Sequence, residues 1–423
     1  MDISILRKAA IHSVIIMLSV ILISFITEQL PLHNLDKNNK KKEIIVADKL
    51  LNIGYQQLNA RLINYSINTP EKAVESKLTG LDGIRKQIDS EILQKLGSSF
   101  LIIEKPGDSS TILSLENLHT DKNIILDMTG MSDCISSDMI LRVRDNEIFT
   151  GDPEFTEIVS YEPDEEYGVS KEIISRNYGR DLSHGIVINS SYDAAKNLYN
   201  ALVTITLDSV YECLLYEDEK NFYIDLKKPS ELYDKIVVID AGHGGKDGGA
   251  LSKDKKYCEK DINLDILLRL KQLLDASGIK AYYTRTTDKT VYLRQRVDLV
   301  NAVGADFFIS IHCNANERTL PNGMEVLYYD NELKGVKGKD LANIFSKELE
   351  KTVSLRQKGI IERNYEDLFI LDHSLVPAVL LEIGYMSNKS DLDYLIREEN
   401  RATIAKAIFE GILRAYDELP IVK

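Results

Sequence analysis

The 423-residue chain has no tryptophan, only nine prolines and only four cysteines. So little proline argues against collagenous or mucin-like segments. Four cysteines over such a length cannot form the disulfide framework of a small secreted scaffold. Positive charge is also in deficit: 52 Lys and Arg face 66 Asp and Glu, for a formal net charge of −14. Nucleic-acid binding is therefore not expected, since its electrostatic footprint is missing. What remains is ordinary globular material, 44% hydrophobic and 28% charged, which excludes wholesale disorder. The length suggests two or three domains.

Apolar residues are concentrated at the start. Residues 9–26 read AAIHSVIIMLSVILISFI without a formal charge. As a helix they would span about 27 Å, enough for a hydrocarbon core. Arg7 and Lys8 precede them and no small-x-small cleavage site follows, so a retained signal anchor over residues 1–30 is the preferred expectation, with secretion after cleavage as the alternative. Lys37, Lys40, Lys41 and Lys42 follow closely. Counted alone, they would keep that side in the cytoplasm, whereas the chemistry below places the body outside.

Residues 31–97 read as a charged linker and a helical segment. Residues 98–230 change to short β-like runs such as FLIIE, NIILDM, LVTITL and NFYIDL, separated by turn signals. Helical or loop insertions are expected near 155–180 and 192–200. From residue 235 to 423, strands alternate with amphipathic helices, which predicts an α/β domain with a largely parallel sheet flanked by helices.

Such sheets place ligand sites beyond the carboxyl ends of their strands. There the sequence puts His243 in a Gly-rich turn, His312 after DFFISI and Glu382 after PAVLL, while Glu259 stands just before the first amphipathic helix. The turn lacks G-x-x-x-x-G-K-[ST] and a helix-opening G-x-G-x-x-G, so it does not read as a phosphate cradle. His243, Glu259 and His312 make a His₂Glu donor set of the catalytic zinc type, and Glu382 is left over as a proton carrier. Arg285, Arg294 and Arg296 suit either structural ion pairs or substrate carboxylates. A thiolate at Cys313 would point to the opposite strand face from His312.

Four ordered segments carry a family likeness: VVIDAGHGGKDGGA (237–250), EKDINL (259–264), FISIHCNA (308–315) and PAVLLEIGYMSN (377–388). Together they make the C-terminal region resemble the zinc-dependent N-acetylmuramoyl-L-alanine amidases of bacterial cell walls, the amidase_3 family. The resemblance implies Zn²⁺ held by His243, Glu259 and His312, with Glu382 as the general base and acid acting on a zinc-held water. The implied reaction is cleavage of the amide between N-acetylmuramic acid and L-alanine in peptidoglycan. It also implies residence in the cell envelope, with the β-rich domain as a wall-targeting module; a plain spacer or a module docking a regulatory partner stays open beside it. One departure from the family pattern is Leu371-Asp372-His373, where many members carry an Arg; it bears on substrate positioning. Another zinc peptidoglycan hydrolase, such as a carboxypeptidase or deacetylase, and a non-enzymatic wall-binding protein remain open as alternatives.

Overall fold

The computed structural model describes residues 80–107, 110–164, 169–364 and 367–422. The expected anchor over 9–26 and most of the 31–97 segment lie outside the described residues. No helix among the described residues is long and apolar enough to cross a membrane.

The described chain opens with two short helices, α1 (Gly80–Arg85) and α2 (Ser90–Lys95). The Asp89 carboxylate caps α2, accepting from the Glu91 N–H at 2.7 Å, as helix starts require. A β-rich part follows. Its first sheet holds β1 (Ser99–Glu104), β4 (Ile140–Arg144), β5 (Glu147–Phe149), β10 (Glu212–Glu217) and β11 (Asn221–Lys227), in the order β10-β11-β1-β4-β5. The second holds β2 (Ile112–Leu118), β3 (Asn123–Met131), β8 (Ser183–Asp193) and β9 (Leu198–Leu207), in the order β2-β3-β9-β8. Period-two alternation decides how the layers stack. Leu101 and Ile103 of β1 face the second sheet, among Ile124, Leu126, Val203 and Ile205. Phe100 and Ile102 point the other way, against Ile84, Ile88 and Ile92 of the helical segment.

Of the two expected insertions, the first turns out to be strand structure and the second a tight turn between strands. Most of 155–180 is an antiparallel hairpin of β6 (Thr156–Asp164) and β7 (Val169–Asn177). The β-branched runs TEIV and EII on either side of an acidic stretch outweigh its polar composition. The segment 192–200 is the reversal between β8 and β9, closed by the Asp193 carboxylate on the Ala195 and Lys196 N–H groups at 3.0 and 3.3 Å. The similar runs DKNIILD and EKNFYID both enter strands, β3 and β11, but in different sheets.

After α3 (Pro229–Leu232) the pattern becomes α/β. The strands are β12 (Ile236–Ala241), β13 (Lys280–Tyr283), β14 (Phe307–Asn314), β15 (Met324–Tyr329), β18 (Gln357–Arg363) and β19 (Ala378–Tyr385). They form one sheet in the order β13-β12-β14-β19-β15-β18, parallel except where β15 meets β19. The small hairpin β16 (Glu332–Leu333) and β17 (Val336–Lys337) stands apart from it. Helices α4 (Glu259–Asp275), α6 (Gly338–Thr352) and α9 (Glu398–Glu418) cover one face; α5 (Leu293–Val303) and α7 (Phe369–Asp372) cover the other. Burial on both faces explains why β12, β14 and β19 read as unbroken apolar runs. Elements without a counterpart in the sequence reading include the edge strand β18, whose apolar core is only Ile360 and Ile361, the seven-residue helix α8 (Lys389–Leu395), the short helices α3 and α7, and the hairpin β16–β17.

The β-rich and α/β parts share a bonded junction. At its centre is Glu212 of β10, which accepts from Tyr282 Oη at 2.6 Å, with Lys280 Nζ at 2.9 Å and His119 Nε2 at 3.5 Å. Burial alone would raise this carboxyl. The close approach of His119, the hydrogen bond from Tyr282 and the ion pair with Lys280 outweigh burial and hold it at about 2, below its ordinary 4.5. A depressed carboxyl stabilises the folded state above its unfolded pKa and loses that contribution as pH falls toward the folded value. The denaturant midpoint should therefore drop between about pH 5 and 2, and Glu212→Gln should shrink the drop. An equally acid-sensitive variant would remove Glu212 from the account.

Candidate metal centre

The site grows from the ends of β12, β14 and β19 and the start of α4. Past Ala241, β12 runs into the Gly-rich turn, where His243 adopts a left-handed backbone with φ of 62°. Two glycines make room for the rings. A Cβ on Gly242 would lie 2.2 Å from His312 Cε1, and one on Gly249, at φ 64°, would lie 2.6 Å from both Glu259 Oε2 and His243 Cδ2. Side chains at either position would occupy the space the imidazoles need.

Glu259, the first residue of α4, is buried between the two histidines. Its Oε2 lies 3.1 Å from His243 Nε2 and its Oε1 lies 2.9 Å from His312 Nδ1. The rings stand edge to face, with centroids 4.9 Å apart. One donor atom from each of the three residues lies within 4.8 Å of the others. The carboxylate also accepts from the Ala250 N–H at 2.8 Å, the Cys313 N–H at 2.9 Å and Asn263 Nδ2 at 3.2 Å. Burial opposes its charge, but the bonds to His243 and His312 prevail and hold the carboxyl well below the usual range. Burial also works against a charged His243, yet Glu259 and Asp247 lift this imidazole to about 9. The cluster is thus arranged to hold positive charge between an anion and two rings.

Asp247 accepts from His243 Nδ1 at 2.8 Å, which fixes the ring and leaves Nε2 toward Glu259. The sequence reading overlooked Asp247; its signal is the four-residue offset from His243 inside the turn. It also overlooked Asn263, one helical turn after Glu259 on the same face of α4.

Glu382 of β19 is the registered neighbour of His312 across the parallel pair, so both side chains emerge from one sheet face. Its Oε2 is buried and has no hydrogen-bond partner among the described residues. Burial pushes the carboxyl up to about 7. Directly opposite on β15 is Glu325, another residue the sequence reading overlooked, which is tied to Tyr385 Oη at 2.9 Å and to Lys358.

Other candidates serve the scaffold. Arg285 is buried and donates to the Ala241, Gly242 and Lys260 carbonyls at 2.8–2.9 Å. Arg296 is buried against Asp240 and donates to the carbonyls of Ala241 and His243. Arg294 is exposed. Cys313 packs in the core on the opposite sheet face, and all four cysteines are free thiols. Asn388 caps α8, and the His373 ring stacks on Phe369.

The family Amidase_3, described as N-acetylmuramoyl-L-alanine amidase, matches residues 237–414. The protein YqiI of Bacillus subtilis (strain 168), named as an uncharacterized protein, is 35% identical over 184 residues, covering 44% of this chain and 86% of YqiI. This chain belongs to the N-acetylmuramoyl-L-alanine amidase family. The N-acetylmuramoyl-L-alanine amidase LytC of the same organism is 33% identical over 191 residues, 45% of this chain but only 37% of LytC. The solved catalytic domain of CwlV, an amidase from Bacillus (Paenibacillus) polymyxa var. colistinus, shares 33% identity over 43% of this chain and 98% of that domain, with a TM-score of 0.40.

The residues of this amidase-family chain suit a metal ion. Two imidazole nitrogens and a carboxylate oxygen form a mixed donor set that leaves a coordination position open. Asp247 and Asn263 supply the outer hydrogen bonds that such ligands need. Gly242→Ala tests the packing: the added Cβ should displace the His312 ring and weaken divalent-metal binding about tenfold or more, with secondary structure retained by circular dichroism. Unchanged affinity in a metal titration would show that the close approach of Gly242 to His312 is dispensable.

Proposed function

We propose that this chain is a zinc-dependent hydrolase that cleaves the amide between N-acetylmuramic acid and L-alanine in peptidoglycan. The observation that carries the proposal is the gathering of His243, Glu259 and His312 beside a carboxylate, Glu382, that has a buried oxygen without a partner. Family membership supplies the substrate class. The site residues are His243, Glu259 and His312 for the metal and Glu382 for proton transfer. Residues 235–423 form the catalytic domain and 98–230 an accessory domain. The chain works in the cell envelope, where residues 9–26 would anchor it to the membrane.

Bound at this site, zinc supplies Lewis acidity that polarises a carbonyl and makes water acidic enough to attack near neutral pH. The rest of the chemistry belongs to the protein. Glu382 accepts the proton of the attacking water and returns it to the nitrogen of L-alanine as the C–N bond breaks. The lactyl group of muramic acid then leaves as a carboxylate and the stem peptide as a free amine. Burial suits Glu382 to both halves of this work, since a carboxyl held near 7 takes up and gives back a proton with little driving force lost. Glu259 offsets the cation's charge in a buried setting, and Asp247 keeps the His243 ring oriented toward the metal.

Digestion of purified peptidoglycan by the full chain should release new α-amino groups on L-alanine and leave muramic acid intact. Release of D-alanine or of acetate instead would favour a carboxypeptidase or a deacetylase. Glu382→Gln should lower kcat by about 10²–10⁴ while zinc content stays unchanged. Retained turnover in that variant would exclude Glu382 as the proton carrier.

A further inference from the structure

The turn that carries His243 does not stand alone. One segment, residues 284–296, supports it along its length. Arg285 and Arg296 together take the carbonyls of Ala241, Gly242 and His243. Asp288 Oδ1 accepts from the Gly245 N–H at 2.7 Å, and Thr290 Oγ1 accepts from the Lys246 N–H at 3.0 Å. Lys260 Nζ, one residue after Glu259, donates to the Gly245 carbonyl at 3.0 Å and to Asp288 at 2.6 Å. The fit leaves no slack. A Cβ on Gly244 would lie 2.4 Å from the Lys289 carbonyl oxygen, and one on Gly245 would lie 2.5 Å from the Thr290 nitrogen. A shift of the segment must therefore shift the turn.

The outer side of the same segment is held by the β-rich part. The short 3₁₀ turn His119–Asp121 joins β2 to β3 and reaches across to it. Thr120 Oγ1 donates to the Thr284 carbonyl at 3.0 Å. The Asp121 carboxylate accepts from Lys289 Nζ at 3.3 Å and Gln295 Nε2 at 3.4 Å. The His119 ring meets Tyr282 edge-on, with centroids 4.9 Å apart. Lys289 and Gln295 lie on either side of Thr290, the residue bonded to the turn.

We infer that Thr120 and Asp121 of the β-rich part are positioning residues for the metal centre, acting through segment 284–296 on the turn that presents His243. On this reading the accessory domain is a component of the active-site scaffold and not only a spacer or a wall-docking module. Its tip restrains a segment whose other side sets the backbone of a metal ligand. Loss of the tip contacts lowers the fraction of chains in which the turn is ready for the metal, and apparent affinity falls by that fraction. With only part of the strength of these contacts passed on to the turn, the expected loss of apparent affinity is about tenfold. Because the tip contacts Tyr282, Thr284, Lys289 and Gln295 and none of His243, Glu259, His312 or Glu382, kcat per zinc-loaded chain and KM for peptidoglycan should stay near wild type.

The inference rests on the zinc reading only for its affinity arm. The test compares the full-length wild type with Asp121→Asn and with Thr120→Val/Asp121→Asn. The first readout is amide hydrogen exchange of the metal-free proteins. Residues 242–249 should exchange faster in the variants, while β12 and β14 keep wild-type protection. The second is the zinc dissociation constant by chelator competition, expected to weaken about tenfold in the double variant. Exchanging the pair, Asp121→Lys with Lys289→Asp, should recover part of the loss. Faster exchange confined to 119–121, with the turn and zinc affinity unchanged, would overturn the inference. A wild-type chain that binds no zinc would instead refute the zinc reading, and the exchange comparison would still decide this one.

Discussion

A single buried carboxylate, Glu259, is the constraint around which this protein is organised. Five groups from four parts of the chain meet its oxygens: His243 in the turn, Ala250 after it, Asn263 on its own helix, and His312 with the Cys313 amide on β14. An anion removed from water at this depth is tolerated only when its oxygens are satisfied. Much of the local architecture meets that demand. The α4 helix starts at Glu259, so the charge lies at the favourable end of the helix dipole. Glycines at 242 and 249 let the rings approach, and the C-terminal end of β14 brings the His312 imidazole and the Cys313 amide within reach.

The second layer of the design is a scaffold of buried arginines. Arg285 and Arg296 sit beneath the turn and take carbonyls that a tight, glycine-rich loop cannot satisfy within itself. Arg296 is in turn neutralised by Asp240, whose carboxylate also accepts from Thr284 and Ser310. The polar network beneath the site is thus continuous with the strand ends that create it. Through segment 284–296 it continues to the β-rich part, so the two halves of the described chain meet next to the chemistry.

How much of this could be read from the sequence follows from the range of the interactions. The strand–helix alternation after residue 235 is local patterning, and the strand-end rule then brings His243, His312 and Glu382 to one rim. The Gly-rich turn and the SIH and LEIG segments are equally local signals. The hairpin β6–β7 was obscured by its polar, acidic composition, and β18 by an apolar core of only two residues. The roles of Arg285 and Arg296 were hidden for another reason. An arginine near aspartates in sequence suits a surface pair or a substrate anchor as well as a carbonyl-binding strut, and only the tertiary path of the turn distinguishes these. The contact of Thr120 and Asp121 with residues more than 160 positions away leaves no trace in local pattern.

The account depends on a cation completing the cluster of His243, Glu259 and His312. Its most direct test is the metal content of the purified full chain, measured by elemental analysis before and after dialysis against a chelator. One zinc per chain is predicted, with its removal abolishing peptidoglycan lysis and its return restoring it. A chain that carries no metal and lyses peptidoglycan equally well in chelator would contradict the account.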